Sequence, residues 1–348
     1  STRTNLQRED RTMKKCDQLG RAALLVFLMF LIGVKAQGAA TPDKLIGIHS
    51  ARVMSQSMPW IAQEAGLFPK YNLDFQLVYI ASSGMVTAAM LGGDAHISLT
   101  GGVGNVRAYV QGATDLVFIG GIKNVMTQSI VAGKGINRPE DLKGKKIGVS
   151  RIGSNTHYFT IQALRRSGME PGRDFSFIQT GGDPETLAAL IGGGIDAATI
   201  TAPTDAMAIA RGYRYVVYGP DLRIPYAATC FVGLRSVIAK RPQVIGQFMQ
   251  VMAEAAKILH TEREFTYKVL GKQLRVDDRK VLDSAYNAEI NALEPRLVIK
   301  DEAIQAMLEE VSQVDPRAKK VKVQDLIDRR YLDEMEKSGF FDQLWAKK

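Results

Sequence analysis

Cysteine is nearly absent from this chain, and histidine and tryptophan are scarce: of 348 residues, two are Cys, four are His and two are Trp. Cys16 precedes the first apolar run, and Cys230 sits in the apolar stretch 227–232, where a small core residue is its simplest role. Once the segment holding Cys16 is removed, no internal disulfide can form. His49, His96, His157 and His260 show no metal-ligand spacing, and there is no H-E-x-x-H. A G-x-S-x-G elbow, a Walker phosphate loop and a G-x-G-x-x-G after a strand are absent too. No catalytic residue, metal ligand or cofactor is therefore assigned. Charge of one sign is not concentrated either. The net charge is +9, but residues 1–40 carry four of those charges, and the rest lie in short clusters such as Lys143, Lys145 and Lys146. Without an aromatic-interleaved basic stretch, nucleic acid is not an expected partner.

What is present begins with an export signal. Met13-Lys14-Lys15 opens a basic region closed by Arg21, the uncharged apolar run Ala22–Val34 follows over 13 residues, and Val34-Lys35-Ala36 offers a small-x-small cleavage site. A spanning helix needs about 20 apolar residues, so a cleaved signal peptide over residues 1–36 is expected, with an uncleaved anchor as the alternative. Met13 is the expected start, Ser1–Thr12 an upstream extension, and the mature chain a periplasmic protein beginning near Gln37.

From residue 43 onward, strand-like runs alternate with amphipathic helical ones, the pattern of parallel sheets covered by helices. An internal echo runs through this body. AAMLGGDAH at 88–96 is answered by AALIGGGID at 188–196, at a constant offset of 100 residues. Each is a helix stopped by glycine and a turn into a buried strand, which points to two similar lobes. A second lobe starts near Ser129, and beyond Arg241 the pattern is almost wholly helical.

Three stretches carry a family resemblance: Ile61-Ala62-Gln63-Glu64-Ala65-Gly66-Leu67-Phe68; Pro139 to Val149 (PEDLKGKKIGV); and Ala189-Leu190 with Gly193 and Ile195-Asp196-Ala197. With the closing Asp328, Tyr331-Leu332 and Lys337-Ser338-Gly339-Phe340, they make residues 43–341 resemble the nitrate/sulfonate/taurine-type periplasmic substrate-binding proteins of ABC importers, whose relatives bind thiamine-pyrimidine precursors. The resemblance implies an α/β, type II periplasmic-binding-protein fold: two parallel-sheet lobes, a cleft between them and a helical C-terminal region. Lobe I would comprise 43–127 plus 236–348 and lobe II 128–235, with hinges near 124–129 and 225–235. It also implies a monomer that delivers a small anionic or polar organic solute to an ABC permease in the inner membrane. An enzyme of the same fold (a lyase or pyrimidine-precursor synthase) and a sensory solute-binding module are the alternatives. His96 departs from the family, whose first lobe often has an acid there.

In parallel sheets ligands lie beyond the carboxyl ends of strands, against loops entering helices whose first N–H groups are unpaired. That rule selects five loops and the ligand-binding candidates Gln56, Trp60, Ser82, Ser83, Gly84, Thr100, Gly101, Arg151, Ser154, Asn155, Thr156, Thr201 and Pro203. Ser82-Ser83-Gly84 and Gly153-Ser154-Asn155-Thr156 combine hydroxyls, glycine and a helix start, which suits an oxyanion. The competing role for these hydroxyls is helix capping. For Trp60 the competing role is core packing, and for Arg151 surface solvation. Sulfonate, nitrate-like anion, aromatic carboxylate and pyrimidine all remain open as the solute.

Overall fold

The computed structural model describes residues 41–346, so the expected signal segment lies outside the described residues. Two five-stranded sheets organise the rest. The first contains β1 (Asp43–His49), β2 (Leu73–Tyr79), β3 (Ile97–Thr100), β4 (Leu116–Met126) and β10 (Ile224–Leu234), in the order β2-β1-β3-β10-β4. The second contains β5 (Ser129–Ala132), β6 (Lys145–Val149), β7 (Phe175–Gln179), β8 (Ala197–Ile200) and β9 (Arg214–Val217), in the order β7-β6-β8-β5-β9. Alternating residues bury one face of the edge strand β2, while β3, β5 and β8 are buried along their whole length.

The sheets are mixed rather than wholly parallel. β10 runs antiparallel to β3 and β4, and β5 antiparallel to β8 and β9. The reason is the crossover: each of these strands enters directly from the other lobe through a short connection, which leaves no length for a parallel return. The expected boundary moves accordingly. Strand 224–234, assigned by sequence to lobe II, belongs to the first sheet, and the second crossover lies at 218–223 rather than within 225–235.

Helices α1 (Met58–Glu64), α2 (Leu67–Lys70), α3 (Ser83–Gly92) and α4 (Val103–Val110) accompany the first sheet. The second carries α5 (Asn155–Arg165), α6 (Asp183–Ile191) and α7 (Thr204–Ala210). The C-terminal region is helical as expected: α8 (Arg235–Lys240), α9 (Pro242–Thr261), α10 (Arg263–Leu274), α11 (Arg279–Glu289), α12 (Asp301–Ser312), α13 (Arg330–Lys337) and α14 (Phe340–Trp345). It closes the first sheet from both sides. Phe248 of α9 packs its ring 5.3 Å from Phe75 and 5.9 Å from Phe231, while Met307 and Ile304 of α12 join Phe118 and Val232 in a second cluster.

The echo at offset 100 is structural. Just past the ends of helices α3 and α6 stand Gly93 and Gly193, both in the left-handed region (φ +83° and +72°) that glycine enters without strain. Buried and exposed positions coincide residue for residue between 81–100 and 181–200. The departure at His96 also finds its explanation. Lys146 N–H donates to Asp196 Oδ2 at 2.8 Å, and at the equivalent place Ile46 N–H donates to His96 Nδ1 at 3.0 Å. The imidazole supplies the acceptor that the carboxylate supplies in the other lobe, and burial beside the Arg241 charge holds its pKa below the ordinary value.

Candidate functional site

β1 and β6 end at equivalent points, followed by Ser50 and Ser150. Gln56 fixes the first of these loops: its Oε1 accepts from Ser50 N–H and Ala51 N–H, both at 2.9 Å, and its Nε2 donates to Ser50 Oγ at 3.0 Å. With both ends of its amide occupied, Gln56 shapes the loop. In the second loop the hydroxyls of Ser150, Ser154 and Thr156 form a ring with spacings of 2.9, 3.0 and 3.0 Å.

These loops enclose a cavity between the lobes, with about 50 Å³ in which the centre of a water-sized group can move. The first lobe contributes Ser50, Gln56, Ser82, Ser83, Lys123 and Thr229; the second contributes Ser150, Ser154, Asn155, Thr156, Asp183 and Thr201, and Gln128 lines the cavity from the first crossover. Asn155 also ties the lobes together, donating to Ala228 O at 2.7 Å, and Arg107 of α4 reaches Gly153 O at 3.3 Å. Tyr158 of α5 stacks on Tyr226 of β10 at 4.6 Å. The lobes are in contact, and the cavity is that of a closed arrangement.

Of the sequence candidates, Gln56, Ser82, Ser83, Ser154, Asn155, Thr156 and Thr201 line this space, and six do not. Trp60 is buried with its ring edge-on to His49 at 5.5 Å and borders a different, outer groove. Gly84 sits exposed in the first turn of α3 and is not part of the lining. Thr100 is fully buried at the end of β3, where its carbonyl accepts from the Cys230 thiol. Gly101 acts by what it lacks: a Cβ there would lie 2.2 Å from Asn155 Oδ1. Arg151 is exposed, the inward position being taken by Ser150, and Pro203 borders the outer groove.

Capping does not explain the hydroxyls. Neither Ser82 nor Ser154 makes a side-chain cap, although each precedes its helix. Ser82 is held at φ +81°, a conformation costly for any residue but glycine, and its Oγ and that of Ser83 are buried without a hydrogen-bond partner among the described residues. The helix starts of α3, α5 and α6 all lack side-chain caps, so their first N–H groups are free of side-chain acceptors. Gln128 Oε1 and Asn155 Oδ1, on two other lining residues, are likewise unpaired, so the lining offers acceptors as well as donors.

Sequence reasoning missed the charges. Lys123 Nζ lies 2.8 Å from Glu289 Oε2 and 2.5 Å from Thr127 Oγ1, with both ionic side chains almost wholly buried. Asp183, at the start of α6, accepts from Thr201 N–H at 2.8 Å, and burial pushes its carboxyl up to about 6. Asp205, at the start of α7, accepts from Ala206 N–H at 2.7 Å and is pushed up to about 7, chiefly by burial and also by the Glu289 and Asp183 charges. Ser50 and Ser150 were findable, since the offset of 100 applied to the strand ends selects both. A lysine inside the apolar run 116–126 was a further signal.

Asp205 yields a pH-dependent prediction. Its folded pKa lies above the ordinary 3.8, so between about pH 4 and 7 the native state keeps a proton that the unfolded chain has released. Its contribution to stability therefore falls as pH rises through that window and is level above it. Asp205→Asn abolishes the fall. Urea unfolding of variant and parent should show the variant gaining on the parent by up to about 4 kcal/mol between pH 4 and pH 8. A pH-independent difference would refute the buried, proton-holding carboxyl.

The family model described as NMT1/THI5 like matches residues 57–264. The taurine-binding periplasmic protein of Escherichia coli (strain K12) is 34% identical over 123 residues, an alignment covering 35% of this chain and only 37% of that protein. The alkanesulfonate-binding protein SsuA of Xanthomonas axonopodis pv. citri, solved bound to MOPS, superposes with a TM-score of 0.69 at 22% identity, covering 84% of this chain and 100% of the other. The desulfurization enzyme DSZB superposes with a TM-score of 0.65 at 14% identity, covering 85% of this chain and 99% of the other. At such identities the structural likeness is one of fold, the two-lobed fold of periplasmic binding proteins, and that fold serves binding proteins and an enzyme alike.

Proposed function

Because the chain belongs to the NMT1/THI5-like family, we propose that it is a periplasmic solute-binding protein that closes its lobes over a small organic oxyanion and delivers it to the permease of an ABC importer. One observation carries the choice of an anion: the buried Ser82 and Ser83 hydroxyls, unpartnered at an uncapped helix start in the closed cavity. Lys123 in the same lining adds a positive charge. The unpaired acceptors of Gln128 and Asn155, with Asp183, suit a solute that also carries an N–H or O–H donor. Short sulfonates bearing an amine or hydroxyl fit both demands, and the related proteins bind taurine and alkanesulfonates according to their names.

The reading is binding without turnover. The only thiol in the described residues, Cys230, is buried on Thr100 O, and burial raises its pKa far above the ordinary thiol value, which leaves no thiolate to attack a solute. Taurine, isethionate and ethanesulfonate, titrated calorimetrically, should bind and be recovered unchanged, and they should raise the melting temperature. Ser82→Ala/Ser83→Ala should weaken that binding tenfold or more, since a hydrogen bond to a charged group is worth about 1.5–3 kcal/mol, with little change in unfolding. Should no oxyanion bind, or should the serine variant bind as the parent does, the anion assignment falls. Loss of uptake of the bound sulfonate in cells lacking the gene tests delivery.

A further inference from the structure

A second concavity lies outside the closed cavity, where the lobes meet. The loop 49–53 divides the two: Ser50, Ala51 and Val53 face inward, while His49 and Arg52 face the outer groove. The part between the lobes encloses about 380 Å³, several times the inner space, and its floor is apolar. Leu187 and Ile191 of α6 and Met207 of α7 supply that floor from the second lobe, and Leu274 at the end of α10 supplies it from the first. Ile191 is 52% exposed at the groove, as its counterpart Leu91 is at 47% in α3, while Leu187 and Leu190 on the same helix are buried.

Three arginines rim this floor. Arg52, Arg211 and Arg275 line the groove, all are exposed, and none has a carboxylate within ion-pair distance among the described residues. The neighbouring Lys272, by contrast, is paired with Glu64 at 2.5 Å. The Arg52 guanidinium lies 4.9 Å over the Tyr79 ring, which orients it at the mouth. Arg52 and Arg275 also line the adjoining concavity against β2, so the cationic rim is shared by both parts of the groove. An apolar floor of this size beside unpaired guanidinium groups matches a ligand with an apolar body and one acidic head.

We propose that this groove is an accessory site for an amphipathic organic anion, a carboxylate or sulfonate on an alkyl or aryl body, with its head on Arg52 and Arg275 and its body on Leu187, Ile191, Met207 and Leu274. Its walls come from both lobes, so an occupant contacts both at once and favours the closed arrangement. The groove's role does not depend on which solute fills the inner cavity.

Sodium decanoate, below its micelle concentration, is the probe, titrated calorimetrically into the whole mature chain. The parent should bind it in a saturable manner and bind butyrate at least tenfold more weakly. Arg52→Ala/Arg275→Ala and Ile191→Asp, all at exposed positions that leave the cores intact, should each weaken decanoate tenfold or more. Ser82→Ala/Ser83→Ala should leave it unchanged. Absence of saturable binding, equal binding by the arginine variant, or loss of binding in the serine variant would each overturn the site, the last by placing decanoate in the inner cavity. Decanoate binding with no binding of any short sulfonate would sink the sulfonate reading and leave the groove standing.

Discussion

Gly101→Val is expected to lower affinity for the captured solute at least a hundredfold, about 2.7 kcal/mol, while unfolding stays close to that of the parent. The first side-chain carbon at this position would lie 2.2 Å from Asn155 Oδ1 and 2.3 Å from its Nδ2. Asn155 is the residue whose amide reaches across to Ala228 O. With its place taken, the lobes part, and the seryl hydroxyls of one lobe no longer face the helix starts of the other. The clash falls between lobes and not within either core, so folding is spared. A protein held open binds in proportion to the fraction that still closes. Small-angle scattering at saturating solute should show the variant remaining as extended as the unliganded parent. Adding Asn155→Ala removes the obstacle, and recovery of part of the affinity in the double variant separates a steric block from a lost contact. Parent-like affinity in Gly101→Val would mean that solute does not require this closure.

Lys123→Met is expected to destabilise the protein by about 3–5 kcal/mol, because Glu289 is then left as a buried charge without its partner. The melting temperature should drop by on the order of 10 °C. The pair lies 2.8 Å apart with side chains 2% and 1% exposed, so solvent screening does little for either ion. Lys123→Met/Glu289→Met replaces both charges by apolar groups and should return most of the lost stability. It should not return binding, since Lys123 also lines the cavity and an anion loses its nearest cation. Denaturant unfolding and calorimetry on the two variants divide the roles. A single variant as stable as the parent would show that the pair does not hold the fold together, and full affinity in the double variant would remove Lys123 from the anion's surroundings.

How much was legible in the chain depended on the range of the interaction. Helices and strands of the body follow from local periodicity, alternating from β1 at Asp43 and turning almost wholly helical beyond Arg241. The repeat was legible because each copy is a contiguous segment. It goes deeper than the four identical letters of the nine-residue echo, since at the last position His96 and Asp196 serve as equivalent acceptors that no comparison of residue types would equate. Strand direction was not legible in β5, buried throughout, or in β10, buried except at Pro225, since an apolar run reads alike either way. The ion pair was hidden for a different reason: Lys123 and Glu289 stand 166 residues apart, and neither sequence context names the other. Among the site candidates, the serines at helix starts lie on the lining, whereas Trp60, Thr100 and Arg151 each lost the inward position to a neighbour or to the core. The rule of strand ends selects the loop but not which of its side chains turns inward.

The place of β10 has a consequence for how the chain acquires its shape. It is the fourth strand of the first sheet, and it pairs Cys230 with Thr100 on one side and with Gly121 on the other. A ribosome that has released residues up to Val217 has released every strand of the second sheet, while β3 and β4 still have nothing between them. The second lobe is thus a contiguous unit inserted into an interrupted one, and the strands of the second sheet are all available before those of the first. The earlier residues wait for the later, and the pairings that finish the first sheet are among those of longest sequence separation, which form slowly. Until residue 234 and the helices behind it arrive, the first sheet lacks the strand that joins β3 to β4.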